Sequence, residues 1–98
     1  MIIDYEFIIE MLQKYAVHLN GVKASIEKNQ ESYKHQLTEL YRLVQFKPNV
    51  YGSRLGEVQD KMKESDLKLS YVVPNIAKIN EQVEELKKVR EAILAGEL

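Results

Sequence analysis

The chain has no cysteine, no tryptophan, two prolines, four glycines and two histidines among its 98 residues. Without cysteine there is neither a disulfide framework nor a thiolate nucleophile or metal ligand. So few glycines and prolines leave room for only two or three breaks, which favours long elements over a meander of short ones. Apolar runs are short, three residues in Phe7-Ile8-Ile9 and Tyr71-Val72-Val73, whereas a membrane-spanning helix needs roughly 20 apolar residues. Neither sign of charge dominates: 14 Lys and Arg stand against 15 Asp and Glu, a net charge of -1. That balance supplies no long-range attraction toward nucleic acid or an anionic membrane. The chain opens Met-Ile-Ile-Asp-Tyr-Glu, with no basic stretch before an apolar one. The expected location is therefore the cytoplasm, or outside the cell by a route that needs no cleaved signal peptide.

What is present is amphipathic helix. Apolar residues make up 45% and charged residues 30%, too apolar for a disordered chain and suited to helices with one buried face. Asp4 is the expected N-cap of the first helix, with Glu6 complementing the positive end of its dipole. From there Tyr5, Ile8, Leu12, Tyr15, Leu19, Val22 and Ile26 recur at heptad spacing. Asn29 and Gln30 interrupt the apolar series. It resumes at Tyr33, Leu37, Leu40 and Val44 after an extra 4-residue step, the pattern of a stutter. Lys47 precedes Pro48 and is biased out of helical geometry, so the helix should end near Phe46. Gly21 is its weak point, yet the seam passes through in phase, and one helix is expected.

The stretch Phe46 to Ser53 is the strongest interior turn signal. Val50, Tyr51 and Gly52 are expected to form the turn, with Ser53 as N-cap of the second helix and Glu57 near its positive end. The second seam is regular: Leu55, Val58, Met62, Ser65, Leu69, Val72, Ile76, Ile79, Val83, Leu86, Arg90 and Ile93. Pro74 lies inside it and should kink the helix without reversing it, and Gly96 is placed to stop it. The pairs Glu10–Lys14, Glu57–Lys61, Glu64–Lys68 and Glu84–Lys88 have the favourable i,i+4 order and mark the solvent faces.

The predicted fold is all-α: a single domain over 1–98, an antiparallel helical hairpin with helices at about 4–46 and 53–95 and a kink near Pro74. Its free ends carry more apolar residues than a two-helix seam can cover. Phe7, Ile9, Met11, Val17, Val89 and Leu94 would remain wet, and exposed apolar patches of that kind mark interfaces. The expectation is a protein partner, either a second copy or a heteromeric helical one, with two hairpins forming a four-helix bundle.

Chemistry is sparse. His18 and His35 have no Glu-x-x-His or His-x-x-x-His pattern around them, so no metal ligand set is expected. Glu81, Glu84 and Glu85 cluster, but a di-metal bundle needs inward carboxylates, and the inward positions here are Ile79, Val83 and Leu86. Ser53, Ser65 and Ser70 lack a neighbouring base, and Tyr51-Gly52-Ser53-Arg54-Leu55-Gly56 lacks the lysine and strand of a phosphate loop. No catalytic residue, cofactor or metal is assigned, and an enzyme is not expected. The basic residues interleave with acids and form no nucleic-acid stripe. The six tyrosines read as seam packing with a hydroxyl at the rim.

In length, absence of cysteine, mild acidity and a mid-chain turn between two helices, the chain resembles the small WxG-type helical hairpins of bacterial type VII secretion and their small helical partners. Val50-Tyr51-Gly52 keeps an apolar residue two before glycine, where the family has tryptophan. The tail after Tyr71 has no aromatic residue, so the family's C-terminal export signal is missing. The resemblance implies a hairpin that dimerises into a four-helix bundle. It points to an adaptor, chaperone or dimeric partner of a larger bacterial protein rather than an autonomous export substrate. The alternative expectation is a small phage-encoded or antitoxin-like inhibitor that blocks a target with its helical surface.

Overall fold

Two helices account for nearly all of residues 4–96, the span described by the structure, a computed structural model. The first, α1, runs Tyr5–Phe46 and the second, α2, runs Pro48–Leu94. They pack against one another as a hairpin, and no strand occurs among the described residues.

Local chemistry explains each helix end. Asp4 caps α1: its Oδ1 accepts the Phe7 N–H at 3.0 Å, one of the donors a helix start leaves without an internal partner. Glu6 stands in the first turn. At the other end Lys47 N–H still donates to the Leu43 carbonyl at 3.0 Å, and then the chain reverses. The Lys47 carbonyl accepts from Val50 N–H at 3.1 Å and from Tyr51 N–H at 3.2 Å, so Lys47 itself opens α2. Pro48 is the first helical residue, where its fixed φ suits the helix and its missing N–H would have been an orphan.

The turn is therefore not Val50, Tyr51 and Gly52, and Ser53 is not a cap. All four lie inside α2, and the connection between helices is Lys47 alone. Pro48 starts the helix earlier than a glycine-based turn would. Gly52 has helical φ and open space where a Cβ would stand, so nothing in the backbone requires glycine there. The expected stop does hold at the far end: α2 finishes at Leu94, and Gly96 takes φ +75°. Both helices run through their weak points, α1 through Gly21 and α2 through Pro74.

The chain comprises two compact units, one of Met1–Val22 with Val72–Leu98 and one of Lys23–Tyr71. The first unit is held by Ile9, Ala16 and Leu19 from α1 against Ile79 and Val83 from α2, with Tyr5, Leu12, Ile76 and Leu86 packed around them. An ion pair between Glu6 and Arg90 joins its two segments at the side of the seam. The second unit buries Leu40 and Val58, Val58 completely. It also buries two polar residues, Gln30 and Ser65. Gln30 Nε2 donates to Ser65 Oγ at 3.0 Å and to Asp66 Oδ1 at 2.8 Å, and Ser65 Oγ donates to the Met62 carbonyl at 2.7 Å.

Burial corrects the phase of the first seam. The positions of α1 turned inward are Tyr5, Ile9, Leu12, Ala16, Leu19, Lys23, Ile26, Gln30, Tyr33, Leu37, Leu40 and Val44. These steps alternate 4 and 3 without a stutter. Ile8 and Tyr15, read from sequence as seam residues, are exposed, and Ile9 and Ala16 take their places. The reason lies downstream. The phase set by Leu37, Leu40 and Val44 continues backward unbroken if Gln30 is allowed a seam position, and its two hydrogen bonds allow it. The α2 seam stands as read from Leu55 through Arg90, every position buried or half-buried, while Ile93 is exposed.

Surface ion pairs follow the expected faces but not all the expected partners. Glu10 pairs with Lys14 at 3.4 Å. Glu57 and Glu84 take Arg54 at 3.2 Å and Lys87 at 3.8 Å, at i,i+3 rather than i,i+4. Exposed pairs of this kind contribute about 0.5 kcal/mol or less each.

Candidate functional site

An unbroken heptad on both helices assigns every residue a place around the seam. In antiparallel helices the flanking g positions of the two partners lie on one side and the e positions on the other. Two hydrogen bonds in the Lys23–Tyr71 unit fit this arrangement. Arg54 donates to Gln36 at 3.2 Å, both at g, and Gln59 donates to Tyr41 at 3.1 Å, both at e. In the other unit Glu6, at e, pairs with Arg90 at the inner position that borders the e side.

This frame sorts the six residues expected on a partner face. Met11 (56% exposed) and half-buried Val89 belong to the g side of their unit. Phe7 stands one turn before Met11 on the outer face of α1, also exposed. Val17 and Leu94 are the most exposed of the six, at 72% and 79%, but they fall on the e side, with Glu6, Glu10 and Lys87 for neighbours along their helices. Ile9 is a correction: at 3% exposure it is a core residue of its unit, because it holds the inward position that Ile8 was expected to fill.

Ile8 and Tyr15 are the residues that sequence reasoning placed wrongly. They stand on the g side beside Met11, with Tyr15 53% exposed. Counting back in sevens from Leu37, Leu40 and Val44 would have found them. Val22 continues the same stripe, half-buried. Next to it runs an open groove of about 380 Å³, lined by Leu12, Gln82, Glu85, Leu86 and Val89. The g side of this unit is thus apolar and sparsely charged, whereas its e side carries Glu6, Gln13 and Asn20 on α1.

Within the Lys23–Tyr71 unit, a second open groove of about 390 Å³ is lined by His35, Gln36, Glu39, Leu40 and Arg54. Phe46 and Val50 stand exposed around the Lys47 reversal. A smaller recess of about 60 Å³ lies beside the buried Ser65, with Asn29, Tyr33, Lys61, Glu64 and Lys68 on its walls.

Among the described residues no group of three or more His, Asp or Glu side chains could hold a metal ion. His18 stacks on Tyr15, ring centroids 6.4 Å apart. Every buried side-chain polar atom among the described residues has a hydrogen-bond partner. No helix among the described residues is long and apolar enough to cross a membrane. No protein-family model, curated protein or solved structure matches the chain.

Proposed function

We propose that this chain is a non-catalytic helical interaction module that pairs the apolar g side of its free-end unit with another helical hairpin. In this reading it serves as an adaptor, chaperone or dimeric partner of a larger bacterial protein, with type VII secretion the pathway suggested by its sequence. The carrying observation is the stripe of Ile8, Met11 and Tyr15 exposed beside the Val89 groove, on a flank that is sparsely charged. A flank left to solvent would be expected to carry charged and polar residues, as the e side of α1 does.

The test is association after charge is placed on the stripe. Met11→Glu should weaken association at least about tenfold by light scattering after size exclusion, or by co-purification with a partner, because it buries an unpaired carboxylate. Val17→Glu, on the other flank, should leave association at the wild-type level. Circular dichroism should show equal helicity in both variants, since both positions are exposed. Association that survives Met11→Glu would refute the reading.

A second reading, a small inhibitor, draws on Phe46 and Val50, which stand exposed around the reversal where an inserting tip would need them. Tight binding lost on Phe46→Ala and kept on Met11→Glu would favour it.

A further inference from the structure

The apolar flank has a symmetry that selects its occupant. On α1 its g positions are Ile8, Tyr15 and Val22, one heptad apart, so the stripe is apolar at equal distances on either side of Tyr15. On α2 the same flank carries Lys78 and Glu85, one heptad apart, on either side of Gln82. These are the charged residues of α2 on that flank between Asn75 and Val89. Neither forms an ion pair among the described residues.

The two centres stand level. The Glu6–Arg90 pair gives the approximate register of the antiparallel segments, and that register places Tyr15 and Gln82 within about one helical turn of one another. One axis crossing both helices can therefore pass through both centres. A two-fold interface requires this: each residue must meet its complement on an identical surface.

We infer that a second copy of this chain docks on this flank, related by a two-fold axis that crosses the helices near Tyr15 and Gln82. This inference rests on the interaction-module reading above and names the partner. In this arrangement α1 lies antiparallel to α1 of the second copy, and α2 to its α2. Ile8 of each copy meets Val22 of the other, Met11 meets His18, and the two Tyr15 rings meet at the axis. Lys78 of each copy stands level with Glu85 of the other, so the interface gains two ion pairs and repels no like charges. The choice of a second copy rests on the apolar spacing about Tyr15 and on the complementary charges of Lys78 and Glu85.

The experiment is a charge swap on the full chain, read as solution mass by light scattering, with circular dichroism to confirm helicity. Wild type should have the mass of two chains. Lys78→Glu sets two like-charge pairs across the axis, as does Glu85→Lys, and each should weaken association at least about tenfold. An equal mixture of the two variants should recover the two-chain mass as a mixed dimer, because every pair is then opposite in sign. The double variant Lys78→Glu/Glu85→Lys should recover it alone. Wild type at the mass of one chain overturns the second copy as occupant. Single variants that associate as wild type does overturn the two-fold geometry. In either case, binding to another protein, or self-association, that is still lost on Met11→Glu leaves the module reading standing. Association insensitive to Met11→Glu sinks both.

Discussion

Gln30 is a polar residue at a position where a two-helix seam could hold leucine, and its removal separates packing from hydrogen bonding. Its amide donates to Ser65 Oγ at 3.0 Å and to Asp66 Oδ1 at 2.8 Å, and it is 9% exposed. Gln30→Ala loses both bonds and leaves a void. A typical intramolecular hydrogen bond contributes about 1 kcal/mol net, and the missing side-chain volume adds about 1 kcal/mol more. The expected cost is about 2–3 kcal/mol. Gln30→Leu loses the same bonds but refills the volume with carbon. Ser65 keeps the Met62 carbonyl as acceptor, and exposed Asp66 turns to water, so neither partner is stranded. This variant should lie within about 1 kcal/mol of wild type. The decisive quantity is the coupling in the cycle of Gln30→Ala, Ser65→Ala and the double variant, expected at about 1 kcal/mol. Urea unfolding followed by circular dichroism measures all of these. A coupling near zero, or Gln30→Leu as damaging as Gln30→Ala, would refute the claim that hydrogen bonding secures Gln30 in the seam while its volume accounts for the rest. If Gln30→Leu is as stable as wild type, its cost should appear as lost specificity. A polar seam residue fixes register and pairing, so this variant should show extra species by light scattering.

Other consequences are simpler to check. Gly21→Ala and Gly52→Ala should each raise stability by about 0.5–1 kcal/mol in the same unfolding assay, since both glycines are helical and a methyl group meets open space. Gly96→Ala should not, because φ +75° disfavours a side chain there. Pro48→Ala should lower stability by about 0.4–1 kcal/mol, because proline at a compatible position restricts the unfolded chain. It should also let some molecules continue α1 into α2 as an opened, swapped dimer, distinguished by its greater length in small-angle X-ray scattering. Asp4→Ala removes the acceptor of the Phe7 amide proton, and hydrogen exchange should speed up at that amide more than at amides deep in α1.

The architecture was legible because its main signals agree. The α2 seam reads in one phase from Leu55 to Arg90, and Pro74 falls at a place where the phase does not break. Asp4, Phe46 and Gly96 announce helix boundaries through local chemistry that needs no tertiary partner. The face of α1 was harder. Between Tyr5 and Leu19 both Ile8 with Tyr15 and Ile9 with Ala16 complete a heptad, and both pairs are apolar. Only the α2 side of the seam, which accepts Gln30 through Ser65 and Asp66, decides between them. Two errors followed from that choice, Ile9 placed on the partner face and Ile8 and Tyr15 placed in the core. The turn was misplaced for a different reason. Gly52 looks like a turn residue by composition, but Pro48 four residues earlier already satisfies the start of a helix. The surplus of apolar residues at the free ends was visible from sequence, and its division between two flanks was not, because that division depends on the corrected phase.

The reversal at Lys47 has a consequence for how the molecule is made. The proposed binding flank is composed of residues near 8–22 and 75–89, and the first set leaves the ribosome well before the second. A nascent chain can close the Lys23–Tyr71 hairpin early, since its partners are near in sequence. It cannot display the complete flank until the stretch through Val89 has emerged. A chain cut short during synthesis would hold Ile8, Met11 and Tyr15 without Val89 and Glu85 beside them. Such fragments would lack half of the surface proposed for the second copy.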